Sequence, residues 1–446
     1  MRDDNYFTEM NARHLWHPFA HPGEMRAAPP KIIRSAEGVR ITDAAGHTTI
    51  DAVGGLWCVN LGYSCRPIKD AIAAQLAELP YYSAFKGTTN EPAIALSAEL
   101  ARIFAPEGMV RSFLTSGGSD SVDTALKLAR QYHKLRGEPG RVKFLALRKG
   151  YHGTHWGGGA VNGNPAFRAP YEPLLPGVFH VPSPYPYRNP FDEPDPARLA
   201  QLCLRALDEE IAFQDPSTVA AFIMEPVQGA GGVIVPHPSY MAGVREICDR
   251  HGVLLIADEV ITGFGRAGAV CGSRLWGVRP DMMTLAKAIT SAYFPLGAVL
   301  LSDRLASAFE DRPEGMVPTG YTYSGHPVGC AAALACLAET ERLVLWDRAD
   351  EMGARLKAGL EGLRRHAAVG DVRGIGLMCA LEIVSDRDAR TADPAWAGRI
   401  FEATYAAGAM VRWSGANLVC SPPLVIGADD VDAIVAALDA GLTAAA

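Results

Sequence analysis

The sequence predicts an α/β fold built on a mostly parallel sheet, and three observations predict it. Short apolar runs alternate along the chain with longer stretches whose apolar residues recur at helical spacing, the pattern of parallel strands joined by crossover helices. Several of these runs stop on a polar side chain, as in Met224-Glu225, Ala257-Asp258 and Ala286-Lys287. Ligands of open α/β sheets bind beyond the carboxyl ends of the strands, so these ends are where chemistry is expected. The length of 446 residues is ample for a large core and points to two or three lobes.

Taken in order, the first 60 residues mix turn residues with short alternating runs at 32–34 and 38–43, which predict a small hairpin within an irregular first lobe. Helical spacing at 70–79 and 91–104, leading into a strand at 112–115, marks the start of the large domain. A helix at 120–135 and strands at 142–147 and 220–224 follow. Next come a helix at 240–251 and strands at 253–257, 282–286 and 298–302. Prolines and aromatics crowd residues 162–196, which predicts a long ordered excursion without regular structure, bordering the site. Helices at 329–343 and 350–366, then short strands at 370–374, 377–383, 409–412 and 417–420 with helices ending near 442, predict an α+β lobe. The expected division is 1–65 as the N-terminal part of a small domain, 66–330 as the large domain, and 331–446 as the C-terminal part of the small domain.

Composition excludes several classes. A formal charge of -7 and the lack of clustered Lys/Arg among aromatics argue against nucleic acid. No apolar run reaches the roughly 18 residues of a membrane span. The start of the chain carries acids and no apolar core with a cleavage site, so a cytoplasmic protein is expected. The nine cysteines are scattered without a Cys-x-x-Cys pair, which predicts reduced thiols and no metal site.

Lys287 and Asp258 carry the chemical argument. A lysine condenses with an aldehyde only as the free amine, and the end of an apolar strand disfavours its ammonium. Asp258 closes a second such strand, 29 residues earlier, leaving room for a crossover. A buried carboxylate beside a ring nitrogen keeps that nitrogen protonated, so the pair suits pyridoxal phosphate. Between a strand and a helix, Thr115-Ser-Gly-Gly118-Ser119-Asp offers glycines, hydroxyls and free amides to a phosphate. Tyr151, in Gly150-Tyr-His152-Gly, can stack on a planar ring. Glu225 ends a third apolar strand on the same expected rim. Gly263-Phe-Gly-Arg266-x-Gly268 is followed by no helical pattern, so a dinucleotide site is rejected.

Together these residues resemble the class III, fold-type I pyridoxal phosphate aminotransferases, in particular the omega-amino acid and amine:pyruvate branch. The resemblance runs end to end, through His14-Leu-Trp-His-Pro-Phe19, Gly55-Leu-Trp57-Cys-Val-Asn-Leu-Gly62, Gly118-Ser119 and Tyr151-His-Gly. It continues through Glu225-Pro-Val, Asp258-Glu-Val260-Ile-Thr-Gly-Phe-Gly-Arg266, Leu285-Ala-Lys287, Pro295-Leu-Gly-Ala298 and Gly320-Tyr-Thr322-Tyr-Ser-Gly-His-Pro327.

It implies a large domain with a mostly parallel seven-stranded sheet flanked by helices, and a smaller α+β domain from both termini. Lys287 is implied as the Schiff-base lysine, Asp258 as partner of the ring nitrogen, and Gly118 and Ser119 as phosphate ligands. Tyr151 and Val260 would cover the two ring faces, with His152 and Glu225 beside the cofactor. Thr322 would reach the phosphate of a neighbouring subunit, implying a homodimer with sites at the interface; a tetramer stays open. Arg412, before Trp413-Ser-Gly-Ala-Asn, is similar in spacing to a mobile arginine that clamps a substrate carboxylate; a planar guanidinium suits that contact. Phe19, Trp57, Phe85 and Tyr151 match substrate-pocket positions.

Two departures stand out: Gly117, where relatives more often have serine, and Lys86, which follows Phe85 where relatives vary. The implied reaction is a ping-pong transfer from an amine donor to a keto acid, pyruvate by this branch, with the donor left open. Decarboxylation or an amino shift by the same cradle is the nearest rival, and a cofactor-sensing protein a more distant one.

Overall fold

The computed structural model describes residues 4–446. At its centre is a seven-stranded sheet. The first three strands of the chain, β1 (Ile33–Glu37), β2 (Arg40–Asp43) and β3 (Thr48–Asp51), lie outside it. The central strands are β4 (Met109–Thr115), β5 (Lys143–Leu147), β6 (Val178–Val181), β7 (Val219–Met224), β8 (Leu254–Asp258), β9 (Met282–Leu285) and β10 (Gly297–Ser302). Their order is β4-β10-β9-β8-β7-β5-β6, and every pair from β9 to β6 is parallel. Only β10 runs antiparallel to its neighbours. The connection from β9 to β10, residues 286–296, is shorter than the dozen or more residues a parallel crossover needs, so the chain returns beside the strand it left.

Helices cover both faces. All residues of β7, β8 and β9 are buried, which is why their sequences read as continuous apolar runs rather than alternating ones. The pleat divides β8 between two cores. Leu255 and Ala257 pack with Leu199, Tyr240 and Met283, whereas Leu254 and Ile256 pack with Val122, Phe144 and Met282.

The remaining strands are β11 (Val369–Ile375), β12 (Met378–Asp386), β13 (Thr391–Ala392), β14 (Ala409–Met410), β15 (Arg412–Ser414) and β16 (Asn417–Cys420). β11-β12-β16-β15 form one sheet, with β13 beside β12. β14 pairs in parallel with β3 and completes a second sheet, β1-β2-β3-β14, so the two ends of the chain are joined by backbone hydrogen bonds.

Three expectations need correction. The excursion at 162–196 contains regular structure, because β6 adds to the edge of the central sheet beside β5. An edge strand pairs on one side only, so four residues bracketed by Pro176 and Pro182 suffice. The single strand expected at 409–412 is two strands in different sheets, because the chain leaves β3 after Met410 and joins β16 at Arg412. The predicted hairpin gains a third strand, β3. The helix Pro196–Phe213 was also not predicted, although Asp195 caps it by accepting from the Arg198 N–H, with proline in the first turn.

Arg266, in the glycine-rich run rejected as a nucleotide loop, is fully buried and joins three segments. Its Nη1 donates to the Leu377 and Pro422 carbonyls and its Nη2 to Asn60 Oδ1. Burial lowers its pKa to about 10, so it stays charged at neutral pH. Arg266→Met strands these acceptors; urea unfolding is expected to show a loss of about 3 kcal/mol, the scale for hydrogen bonds to a charged group. An unchanged midpoint would remove Arg266 as a tie between segments.

Candidate active site

Parallel strands put their carboxyl ends on one rim. β7 pairs with β8 up to Met224 and Ala257, and β8 pairs with β9 up to Asp258 and Thr284. Glu225 therefore emerges one residue past β7, Asp258 closes β8, and Lys287 lies just beyond β9. All three line one cavity of about 350 Å³, together with Gly118, Ser119, Tyr151, His152 and Val260.

Lys287 has φ +45, and Ser291 and Ala292 nearby have φ +49 and +63. Left-handed backbone at non-glycine residues costs energy and is held only where surrounding structure fixes it. Burial lowers the lysine's pKa and favours the free amine, while the Asp258 carboxylate opposes this from the same cavity.

The Asp258 carboxylate is fully engaged. Oδ1 accepts from Thr284 Oγ1 at 3.1 Å and from the Val260 N–H at 3.2 Å, and Oδ2 accepts from His152 Nδ1 at 2.7 Å. His152 is itself held through its N–H by Asn162 Oδ1, and its Nε2 is buried without a partner. Glu225 accepts from the N–H groups of Tyr151 and Gly229 at 3.0 and 2.8 Å. Burial nevertheless raises its pKa to about 7, with help from the charge of Asp258.

The helix Gly118–Leu135 points its N-terminus at the cavity, where Gly117, Gly118 and Ser119 line the wall. Space there is tight. A Cβ on Gly153, whose φ is +95, would stand 2.6 Å from Ser119 Oγ, so the loop carrying Tyr151 can close on the helix only with glycine there. Ser119 Oγ also accepts from the Thr154 N–H at 3.1 Å. An amine whose free form burial favours, an engaged carboxylate, an amide-rich helix end and a tyrosine wall facing one cavity fit pyridoxal phosphate.

Five expected residues lie off this cavity's lining. Trp57 is 3% exposed and packs with Val227, Ile261, Met378 and Val419, while its neighbours Leu56 and Cys58 line the cavity. Phe19 is 71% exposed, with its ring edge-on to Tyr151 at 6.4 Å. Phe85 and Thr322 are exposed; Phe85 lies against Gly320, and Tyr81 Oη donates to the Thr322 carbonyl at 2.7 Å. Arg412, on β15, is half-buried with no acceptor for Nε, and its charge bears on both Tyr151 and Lys287. Leu56, Cys58, Ile261 and Phe294 line the cavity without having been singled out. Leu56, Cys58 and Ile261 lie within quoted motifs and Phe294 beside one, but Thr284 carries no local signal, since its bond to Asp258 depends on the β8–β9 register.

The family model described as aminotransferase class-III matches residues 24–442. An amine transaminase from an uncultivated Pseudomonas species, solved in its PLP-bound form, is 47% identical with a TM-score of 0.96, covering 97% of this chain and 99% of its own. The diaminobutyrate–2-oxoglutarate transaminase of Halomonas elongata is 38% identical, over 92% of this chain and 89% of its own. The putrescine–pyruvate aminotransferase of Pseudomonas aeruginosa is 36% identical, over 94% of this chain and 91% of its own.

Glu225 generates a pH dependence with a definite sign. Its folded pKa of about 7 lies above the ordinary 4.5, so its protonated form favours the fold at low pH. That contribution is present below pH 4.5 and is lost as pH rises to 7, an effect of about 3 kcal/mol. In cofactor-free protein, the thermal midpoint of wild type relative to Glu225→Gln is expected to fall between pH 5 and pH 8. A constant difference would show that the carboxyl is not held protonated.

Proposed function

The chain belongs to the class III aminotransferases, which are pyridoxal phosphate-dependent, and from that premise we propose that it moves an amino group from an omega-amino acid or primary amine to pyruvate, giving alanine. Arg412 carries the reading. It is an arginine beside the cavity with an unpartnered nitrogen, matching an acceptor with one carboxylate. A relative named for pyruvate and one named for 2-oxoglutarate resemble this chain almost equally. 2-Oxoglutarate brings a second carboxylate, and Arg412 is the arginine whose charge bears on both Tyr151 and Lys287.

Bound pyridoxal phosphate supplies an aldehyde that captures amines and a protonated ring that takes up the electron pair of the donor's C–H bond. Lys287 would hold the aldehyde at rest, and its Nζ would be the base nearest the donor once freed. Its Nζ, whose free-amine form burial favours, would accept the proton from the donor carbon and give it up again as general acid. Asp258, oriented by His152, Thr284 and the Val260 amide, keeps the ring nitrogen protonated. Gly118 and Ser119 would hold the phosphate, and Tyr151 and Val260 would bound the ring. Pyruvate then takes up the amino group with Arg412 on its carboxylate, in the second half of a ping-pong cycle.

We place two copies together with their sites at the shared interface. Thr322 and Phe85, which the family likeness assigns to the site, are exposed and off their own chain's cavity. Tyr81, Tyr82 and Tyr323, in the same segments, are also exposed. Nine free cysteines suit a reducing compartment, and we assign the enzyme to the cytoplasm.

Lys287→Ala is expected to lose turnover and the near-ultraviolet absorption of lysine-bound cofactor; retained transamination would exclude Lys287 as the acceptor of the donor proton. Arg412→Ala is expected to lower kcat/KM for pyruvate about a hundredfold, the scale of a two-point charged contact, and to spare an aldehyde acceptor without a carboxylate. Equal loss for both acceptors would assign Arg412 a structural role. Alanine formation from pyruvate and a panel of amines tests the acceptor directly, and amination of 2-oxoglutarate alone would replace pyruvate in this reading.

A further inference from the structure

A second cleft, of about 420 Å³, opens where the proline-rich stretch after β6 meets the turn at Arg390, and it shares no lining residue with the cofactor cavity. Its charge runs against that of the chain. The sequence has 42 Lys and Arg against 49 Asp and Glu, yet this cleft is lined by Arg148, Lys149, Arg188 and Arg390 against Asp192 alone. Among the described residues, Arg148, Lys149 and Arg390 have no carboxylate within ion-pairing distance. Arg188 is paired through Nε with Glu382, a carboxylate already shared with Tyr185 and Arg373, and its Nη2 finds no acceptor.

The cations are also fixed in place. The Arg188 and Arg390 guanidiniums each lie 5.1 Å from the centre of the Tyr187 ring, and Arg390 Nη1 donates to the Tyr187 carbonyl at 2.7 Å. Two cations held on one ring repel each other, and a concave surface of one sign concentrates potential for an anion. Lys149 has φ +63 and leads directly into the loop bearing Tyr151 and His152, its own N–H donating to the Gly163 carbonyl.

We propose that this cleft binds a small dianion, a phosphoryl group or a dicarboxylate, between Lys149 and the Arg188–Arg390 pair. Guanidiniums make planar two-point contacts to either group, and the ammonium adds a point charge. An occupant would rest against the turn that mounts Tyr151 without entering the cavity.

Titration calorimetry on the cofactor-loaded enzyme, whose phosphate cup is filled, tests the site with inorganic phosphate, glycerol phosphate and succinate at low ionic strength. Saturable binding of the two phosphates alone identifies a phosphoryl site, and of succinate alone a dicarboxylate site. Lys149→Gln with Arg390→Gln is expected to weaken that binding at least tenfold, and Arg66→Gln, on a distant surface helix, to leave it unchanged. Binding by none of the three probes overturns the proposal, as does binding that the double variant retains. Matched melting temperatures of wild type and double variant confirm that a loss is not unfolding.

Discussion

The site depends on the register of three parallel strands. Because β7, β8 and β9 run the same way and pair residue for residue up to their ends, Glu225, Asp258 and Lys287 leave the sheet on a common rim. A one-residue slip of a strand would turn its side chains to the opposite face. The fully buried flanks of these strands resist such a slip, since every apolar residue that would move is packed in one of two cores. The apolar sequence of the strands and the placement of the chemical groups are therefore one property of the chain.

Around that rim the structure engages its two acids differently. Asp258 is engaged by an imidazole, a hydroxyl and a backbone amide, whereas Glu225 has two backbone amides and a burial penalty they do not overcome. Burial thus favours the protonated form of Glu225. The lysine is subject to the same competition in reverse, with burial favouring the free amine and Asp258 the ammonium.

Much of this was legible in the sequence for definite reasons. Strand ends announce themselves when an apolar run stops on a polar residue, so Glu225, Asp258 and Lys287 could be singled out and their rim inferred. The packing displays close approaches at Gly118, against Val260, and at Gly153, against Ser119. Contacts set by register or by distant segments were not legible, as with Thr284 against Asp258 and Arg266 against three carbonyl and amide oxygens. β6 was hidden by the prolines that bracket it, and the change of sheet after Met410 leaves no trace in a run of apolar residues. The hydrophobicity of Trp57 could not distinguish a pocket wall from a core residue one layer behind it, where the structure places it.

Arg266 has a consequence for how the chain acquires its structure. Its partners lie 206 residues earlier and 111 and 156 residues later. Until the C-terminal part of the polypeptide leaves the ribosome, Arg266 has only Asn60 of its three partners, and β3 lacks its neighbour β14. Such long-range closure makes folding slow and leaves exposed edges in the nascent chain. The central sheet can assemble as synthesis proceeds, but both ends must wait for each other.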